Sequence, residues 1–104
     1  MKGLGDLGNM MKQAKRLQQD LERTQAEIAQ MKLDATAGGG MVTATVNGRG
    51  DLMDLVIERE VIDPEDSEML VDLVIAAVQE AQKQAREEAE KRLGPLAQGF
   101  GLQP

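Results

Sequence analysis

AGGGMVTATVNGRGD, residues 37–51, decides the fold, because it is the one convincingly β stretch in a chain otherwise rich in helix-forming residues. Gly38, Gly39 and Gly40 supply a turn in which positive φ carries no Cβ penalty. Met41 to Val46 then alternates apolar residues with threonine, as a strand with two different faces does. The next turn has two readings. Asn47-Gly48 is the stronger local signal and favours a type I′ loop, but it pairs Val46 with Arg49 and Ala44 with Asp51, lining the apolar face with charge. A type II′ loop at Gly48-Arg49 pairs Asn47 with Gly50 instead, and puts Val42, Ala44 and Val46 on one face with Met53, Leu55 and Ile57. The second register is preferred, since a one-residue slip exchanges the faces and burial outweighs a turn preference. Gly39 and Gly48 are both expected at positive φ.

On either side of this hairpin the pattern changes. Leu33 to Gly38 reads as a short first strand, with Leu33, Ala35 and Ala37 on one face, and its weak apolar content suits a sheet edge. The third strand runs from about Asp51 to Arg59, and its second face carries Leu52 and Val56. Upstream, Leu7, Ala14, Leu21 and Ile28 alternate with Met10, Leu17, Thr24 and Met31 at three- and four-residue spacing, a heptad seam. The glycines of the first nine residues predict fraying, with Asp6 or Asn9 as the helix cap. A helix of about 25 residues is roughly 38 Å long, whereas a strand covers about 17–20 Å, so the sheet cannot cover the whole seam. Downstream, Asp63-Pro64-Glu65-Asp66 predicts a helix start, with Asp63 capping and proline at the first helical position. That helix runs to about Arg92. It is apolar almost all round at first and then narrows to Ala77, Ala81, Ala85 and Ala89, small side chains that permit close approach of another helix. Gly94-Pro95 stops it. The expected organisation is one α+β domain over residues 1–93, ordered α-β-β-β-α, and a Gly-, Pro- and Gln-rich flexible tail over 94–104.

Composition narrows the chemistry. The chain of 104 residues has no cysteine and no histidine, which removes thiol nucleophiles, imidazole bases and the usual zinc sites. Phe100 is the only aromatic residue, so a single-strand reader built on stacked rings is not expected. The glycine cluster lacks the endings of a P-loop or a dinucleotide loop. A calcium loop starting at Asp63 would have Glu68 at its obligatory glycine and Val74 at its last acid. No cofactor, metal or small-molecule substrate is expected, and no nucleophile–base pair marks an enzyme. Neither a membrane span nor a signal-peptide core is legible, which predicts a cytoplasmic protein.

The net charge of −6 argues at first against a nucleic-acid partner, but the charge is segregated. Residues 1–32 hold six Lys or Arg against four acids, while residues 51–72 hold nine acids against Arg59 alone. Lys12, Lys15, Arg16 and Arg23 fall opposite the apolar seam of the first helix, and Lys83, Arg86, Lys91 and Arg92 lie among glutamates on the second. Those eight residues are the candidate DNA-binding set. A solvated charged face is the plain alternative.

The segments MMKQAKRLQQDLERTQAEI, AGGGMVTATVNGRGD and IDPEDSEMLVDLVIAAVQEAQKQ, followed by a Gly-rich tail, together resemble the YbaB/EbfC family of nucleoid-associated DNA-binding proteins over essentially the whole chain. The resemblance implies helix, three-stranded antiparallel sheet, helix, in homodimers whose helices project like the arms of tweezers. It also implies binding of duplex DNA, organisation of the nucleoid and an effect on gene expression. Where that family commonly has an Asn-Asp pair, this chain has Gln79-Glu80. A non-enzymatic protein-interaction module using the seam or the acidic surface is the alternative function.

Overall fold

A computed structural model describes residues 2–99. Its elements are α1 (Lys2–Gln30), β1 (Lys32–Ala37), β2 (Val42–Asn47), β3 (Leu52–Ile57), a 3-10 turn (Arg59–Val61) and α2 (Ser67–Gly99), the α-β-β-β-α order expected. The strands form one antiparallel sheet with β2 in the centre. β1 pairs with β2 from Lys32↔Asn47 to Ala37↔Val42, and Leu33, Ala35 and Ala37 do share the inner face.

The hairpin between β2 and β3 differs from both sequence readings. Asn47 N–H bonds to the Asp51 carbonyl and Gly50 N–H to the Asn47 carbonyl, so the loop has three residues, Gly48, Arg49 and Gly50, with Gly50 at φ 89°. This is the turn-plus-bulge connection in which the last loop residue must be left-handed. A second irregularity follows, because Val46 pairs with Leu52 while Thr45 pairs with Asp54. Met53 is the extra residue and is 59% exposed rather than in the core. Beyond it Ala44 faces Leu55 and Val42 faces Ile57, a shift of two residues from the expected register. An even shift keeps the faces, so Leu55 and Ile57 still join the inner side.

Three consecutive residues, Gly38, Gly39 and Gly40, have φ between 64° and 92°, as a turn built on left-handed positions requires. Gly48 is not one of them, contrary to expectation. Its reason is proximity: its N–H donates to the Ile28 carbonyl at 3.1 Å, and a Cβ would lie 2.7 Å from Ile28 Cγ2. The end of α1 is thereby pinned to the hairpin tip.

The core lies between the inner sheet face and α2. Ala35, Val42, Ala44 and Val46 meet Ala77, Ala81 and Ala85, with Val61 closing one end. The first three alanines of the stripe thus let α2 sit low on the sheet rather than on another helix. α2 rests on β1 and β2, and β3 lies at the margin of this cover. Its N-terminus is three residues later than expected. Asp66 Oδ1 accepts from Met69 N–H at 3.3 Å and is the cap, whereas Asp63 closes the preceding turn through Glu65 N–H at 2.9 Å. At the other end α2 continues through Gly94 and Pro95 to Gly99. Pro95 lacks an N–H and crowds the preceding turn, yet an established helix gains a hydrogen bond with each added residue and carries past a poor position. The same argument covers α1, which runs through Gly3, Gly5 and Gly8 with neither Asp6 nor Asn9 as its cap. Residues 100–104 of the expected tail lie outside the described residues.

Both helices outrun the sheet. At about 1.5 Å per residue they are roughly 43 and 50 Å long, and the molecule measures 79 × 23 × 16 Å. Ile28 touches Gly48 and the Gln82 amide reaches the Gly50 carbonyl at 3.1 Å, so both helices leave the sheet at the β2–β3 tip, in opposite chain directions. Along the seam only Thr24 and Ile28 are buried, while Leu7, Met10 and Leu21 are 52%, 64% and 37% exposed.

Candidate nucleic-acid interface

Successive helical residues turn by about 100°, which puts Lys12, Lys15, Arg16 and Arg23 within about 100° of arc, opposite the seam. All four are exposed. Between Leu7 and Gln19 the helix carries no acid. Among the described residues no ion pair involves Lys12, Lys15 or Arg16, and Lys12 and Arg16, one turn apart, line a shallow open groove with Asn9 and Gln13. A row of unpaired cations on a straight rod can meet a row of phosphates, because no internal carboxylate has to be displaced first.

Arg23 is in a different state. Its guanidinium lies 3.2 Å from Asp20 Oδ1 and 3.9 Å from Glu27 Oε1. Glu27 also reaches Arg92 of α2 at 3.9 Å, so this carboxylate bridges the two helices. Lys91 pairs with Glu88 at 3.3 Å. Such exposed pairs contribute about 0–1 kcal/mol to stability, but they leave little net positive charge for a ligand. The eight sequence candidates therefore divide. Lys12, Lys15, Arg16, Lys83 and Arg86 make no ion pair among the described residues, whereas Arg23, Lys91 and Arg92 each face a carboxylate.

Lys83 and Arg86 stand where α2 leaves the sheet, lining a shallow depression with Gln79, Glu80 and Gln82. They are separate from the Lys12 row. Of the eight, only Arg23 and Arg92 are brought together from different helices, around Glu27. Among the described residues three exposed cations lie outside the eight: Lys32 at the start of β1, Arg59 in the 3-10 turn and, at the hairpin tip, Arg49. Its sequence signal was the flanking glycines, which read as turn chemistry and hid the charge between them.

Apolar surface forms a second feature. Leu52 and Val56 on the outer face of β3 are 49% and 50% exposed, and Val71 and Ile75 on α2 are 54% and 47% exposed. By helical phase Val71 and Ile75 lie on the flank that carries Gln82 toward Gly50, the β3 side of α2. Among the described residues no helix is long and apolar enough to cross a membrane.

Residues 2–100 match the YbaB/EbfC DNA-binding family. The chain is 48% identical over 99 residues to a nucleoid-associated protein of Streptomyces griseus, covering 95% of this chain and 87% of that one. It is 42% identical over 102 residues to a nucleoid-associated protein of Alkaliphilus metalliredigens, covering 98% and 90%. Among solved structures, the uncharacterized protein HP0035 of Helicobacter pylori is similar, with a TM-score of 0.69 and 25% identity over 82% of this chain and 88% of that one.

Proposed function

Because the chain belongs to the YbaB/EbfC DNA-binding family, we propose that it is a nucleoid-associated protein that binds duplex DNA as a homodimer, organising the nucleoid and influencing gene expression. Contacts are mainly to phosphates, with weak sequence preference, because no aromatic platform is present and the exposed cations form a row rather than a reading head. The observation that carries this reading is the acid-free stretch of α1 with Lys12, Lys15 and Arg16 unpaired on one face. Lys83 and Arg86 add contacts at the sheet end of α2. Arg23, Lys91 and Arg92 contribute less, since each first has to give up a carboxylate. The acids of residues 58–72, which follow the end of β3, repel DNA from the far end of the molecule.

The second copy docks beside β3. A free strand edge, Leu52 and Val56, and the α2 flank with Val71 and Ile75 give it an apolar contact. The arms of both copies then carry their basic faces to one duplex. A protein-interaction role draws on a separate observation, the exposed seam at Leu7, Met10 and Leu21.

The test is titration of a duplex at about 50 mM salt into the parent and into Lys12→Ala with Arg16→Ala. Both residues are exposed and unpaired, so melting should not change, while affinity should fall at least about tenfold. Equal affinity moves the contact off α1, and absence of parent binding at that salt favours the protein-partner reading. Sedimentation of the parent at micromolar concentration should give twice the chain mass, and Ile75→Asp should give the monomer.

A further inference from the structure

We infer that Arg49 is a phosphate-contacting residue of the same interface, set at the base from which the two helices depart; this rests on the DNA-binding reading above. Several observations converge on it. Arg49 is the only exposed residue of its turn: Gly48 is buried, and Asn47 and Gly50 are partly so. The main chain around it is held from three sides. Asn47 Oδ1 accepts from Arg49 N–H at 2.9 Å and from Asp51 N–H at 3.0 Å, Gly48 N–H is bound to the end of α1, and the Gly50 carbonyl is bound to Gln82 of α2. A tip clamped this way holds the Arg49 main chain at a fixed place relative to both helices, so binding costs little ordering of the backbone.

Charge points the same way. The nearest acid in sequence, Asp51, accepts a hydrogen bond from Asn47 Nδ2 at 3.2 Å. Among the described residues Arg49 forms no ion pair, although the chain has 18 acids to 12 Lys and Arg. Lys32, whose Cα pairs with Asn47, is exposed at the same end of the sheet. The spacing also fits one ligand. Ile28, which touches Gly48, precedes the tip on α1 by twelve residues from Arg16 and sixteen from Lys12. That places the arm cations about 18–24 Å from the tip along the helix axis. At about 3.4 Å per phosphate on one strand this is roughly five to seven steps, within a single helical turn of DNA. The tip is anchored at Ile28, on the seam side of α1, so a duplex that touches both runs along the Lys12–Arg16 face and passes around the C-terminal end of α1 to reach Arg49.

The experiment measures duplex affinity against salt for the parent, Arg49→Ala, Arg49→Lys, and the arm variant Lys12→Ala with Arg16→Ala, together with melting. Arg49→Ala should melt like the parent and flatten the fall of log affinity with log salt by about 0.9 for each protomer engaged. Arg49→Lys should keep the parent slope, because the charge remains. If Arg49→Ala keeps the parent slope and affinity while the arm variant loses both, Arg49 is only a solvated turn residue and the arm reading stands. If the parent retains no duplex even at low salt, the DNA reading and the Arg49 contact fall together. Should Arg49→Ala melt lower, a flattened slope for Arg49→Gln supports the contact and a parent-like slope overturns it.

Discussion

Replacing Gly48 by alanine should be among the most damaging single-methyl changes in the chain. The added Cβ would lie 2.7 Å from Ile28 Cγ2 and 2.8 Å from the Ile28 carbonyl carbon, and it would meet the Ile28 carbonyl oxygen more closely still. Two of those atoms are backbone at the end of α1, so no rotamer change relieves the contact. Overpacking of this kind costs about 1–3 kcal/mol. Moving the end of α1 away from the hairpin tip also loses the Gly48 N–H to Ile28 carbonyl bond, about 0.5–1.5 kcal/mol. Together the loss is about 2–4 kcal/mol, or a melting temperature lower by roughly 10–25 °C for a domain of this size. Gly39→Ala is the control. A Cβ there meets nothing within 4 Å, and its φ of 68° costs only about 1–2 kcal/mol. Urea unfolding of both variants and the parent, at one protein concentration because association adds to apparent stability, provides the comparison. The reasoning fails if Gly48→Ala unfolds within about 0.5 kcal/mol of the parent, or is less destabilised than Gly39→Ala.

Asp66→Ala removes the α2 cap and should cost about 1 kcal/mol, whereas Asp63→Ala, which only opens the preceding turn, should cost less; urea midpoints rank the two. Ala81→Leu forces a larger side chain between α2 and the sheet, where Ala81 is fully buried, and should destabilise by about 1–3 kcal/mol. Glu27→Gln removes the carboxylate shared by Arg23 and Arg92. It should leave stability within about 1 kcal/mol while tightening duplex binding, because two arginines lose a competing partner.

The β hairpin illustrates how far residues alone lead. Alternation from Met41 to Val46 placed β2 correctly, because burial imposes a period of two and the pattern is visible in the residues themselves. The register was missed by two. Local turn preference cannot report that Met53 would be extruded as a bulge, since extrusion depends on what packs over Leu55 and Ile57. Gly48 shows a related limit. A glycine looks the same in sequence whether it serves positive φ or close approach, and only the position of Ile28 separates the two. The ends of α2 were set by tertiary continuity rather than by local signals: Asp66 took the cap that Asp63-Pro64 advertised, and Pro95 did not end a helix already formed. For the interface, helical phase sufficed to gather Lys12, Lys15 and Arg16 on one face. It could not reveal that Glu27 ties Arg23 to Arg92, because that pairing joins residues 65 positions apart in the chain. The heptad seam was legible as apolar, and its length showed that the sheet could not cover all of it; that Leu7 and Met10 are among the uncovered residues was not, since a repeat states that a face is apolar and not what covers it.

Duplex binding measured across a range of salt concentrations, for the parent and for Lys12→Ala with Arg16→Ala, tests the phosphate-contact role of the α1 arm most directly. The parent should show a steep linear fall of log affinity with log salt. The variant should fall less steeply by about 1.8 for one engaged protomer and about 3.6 for two, at about 0.9 per phosphate. Parallel lines for the two proteins would contradict the account, because they would mean that the acid-free face of α1 releases no counterions when DNA binds.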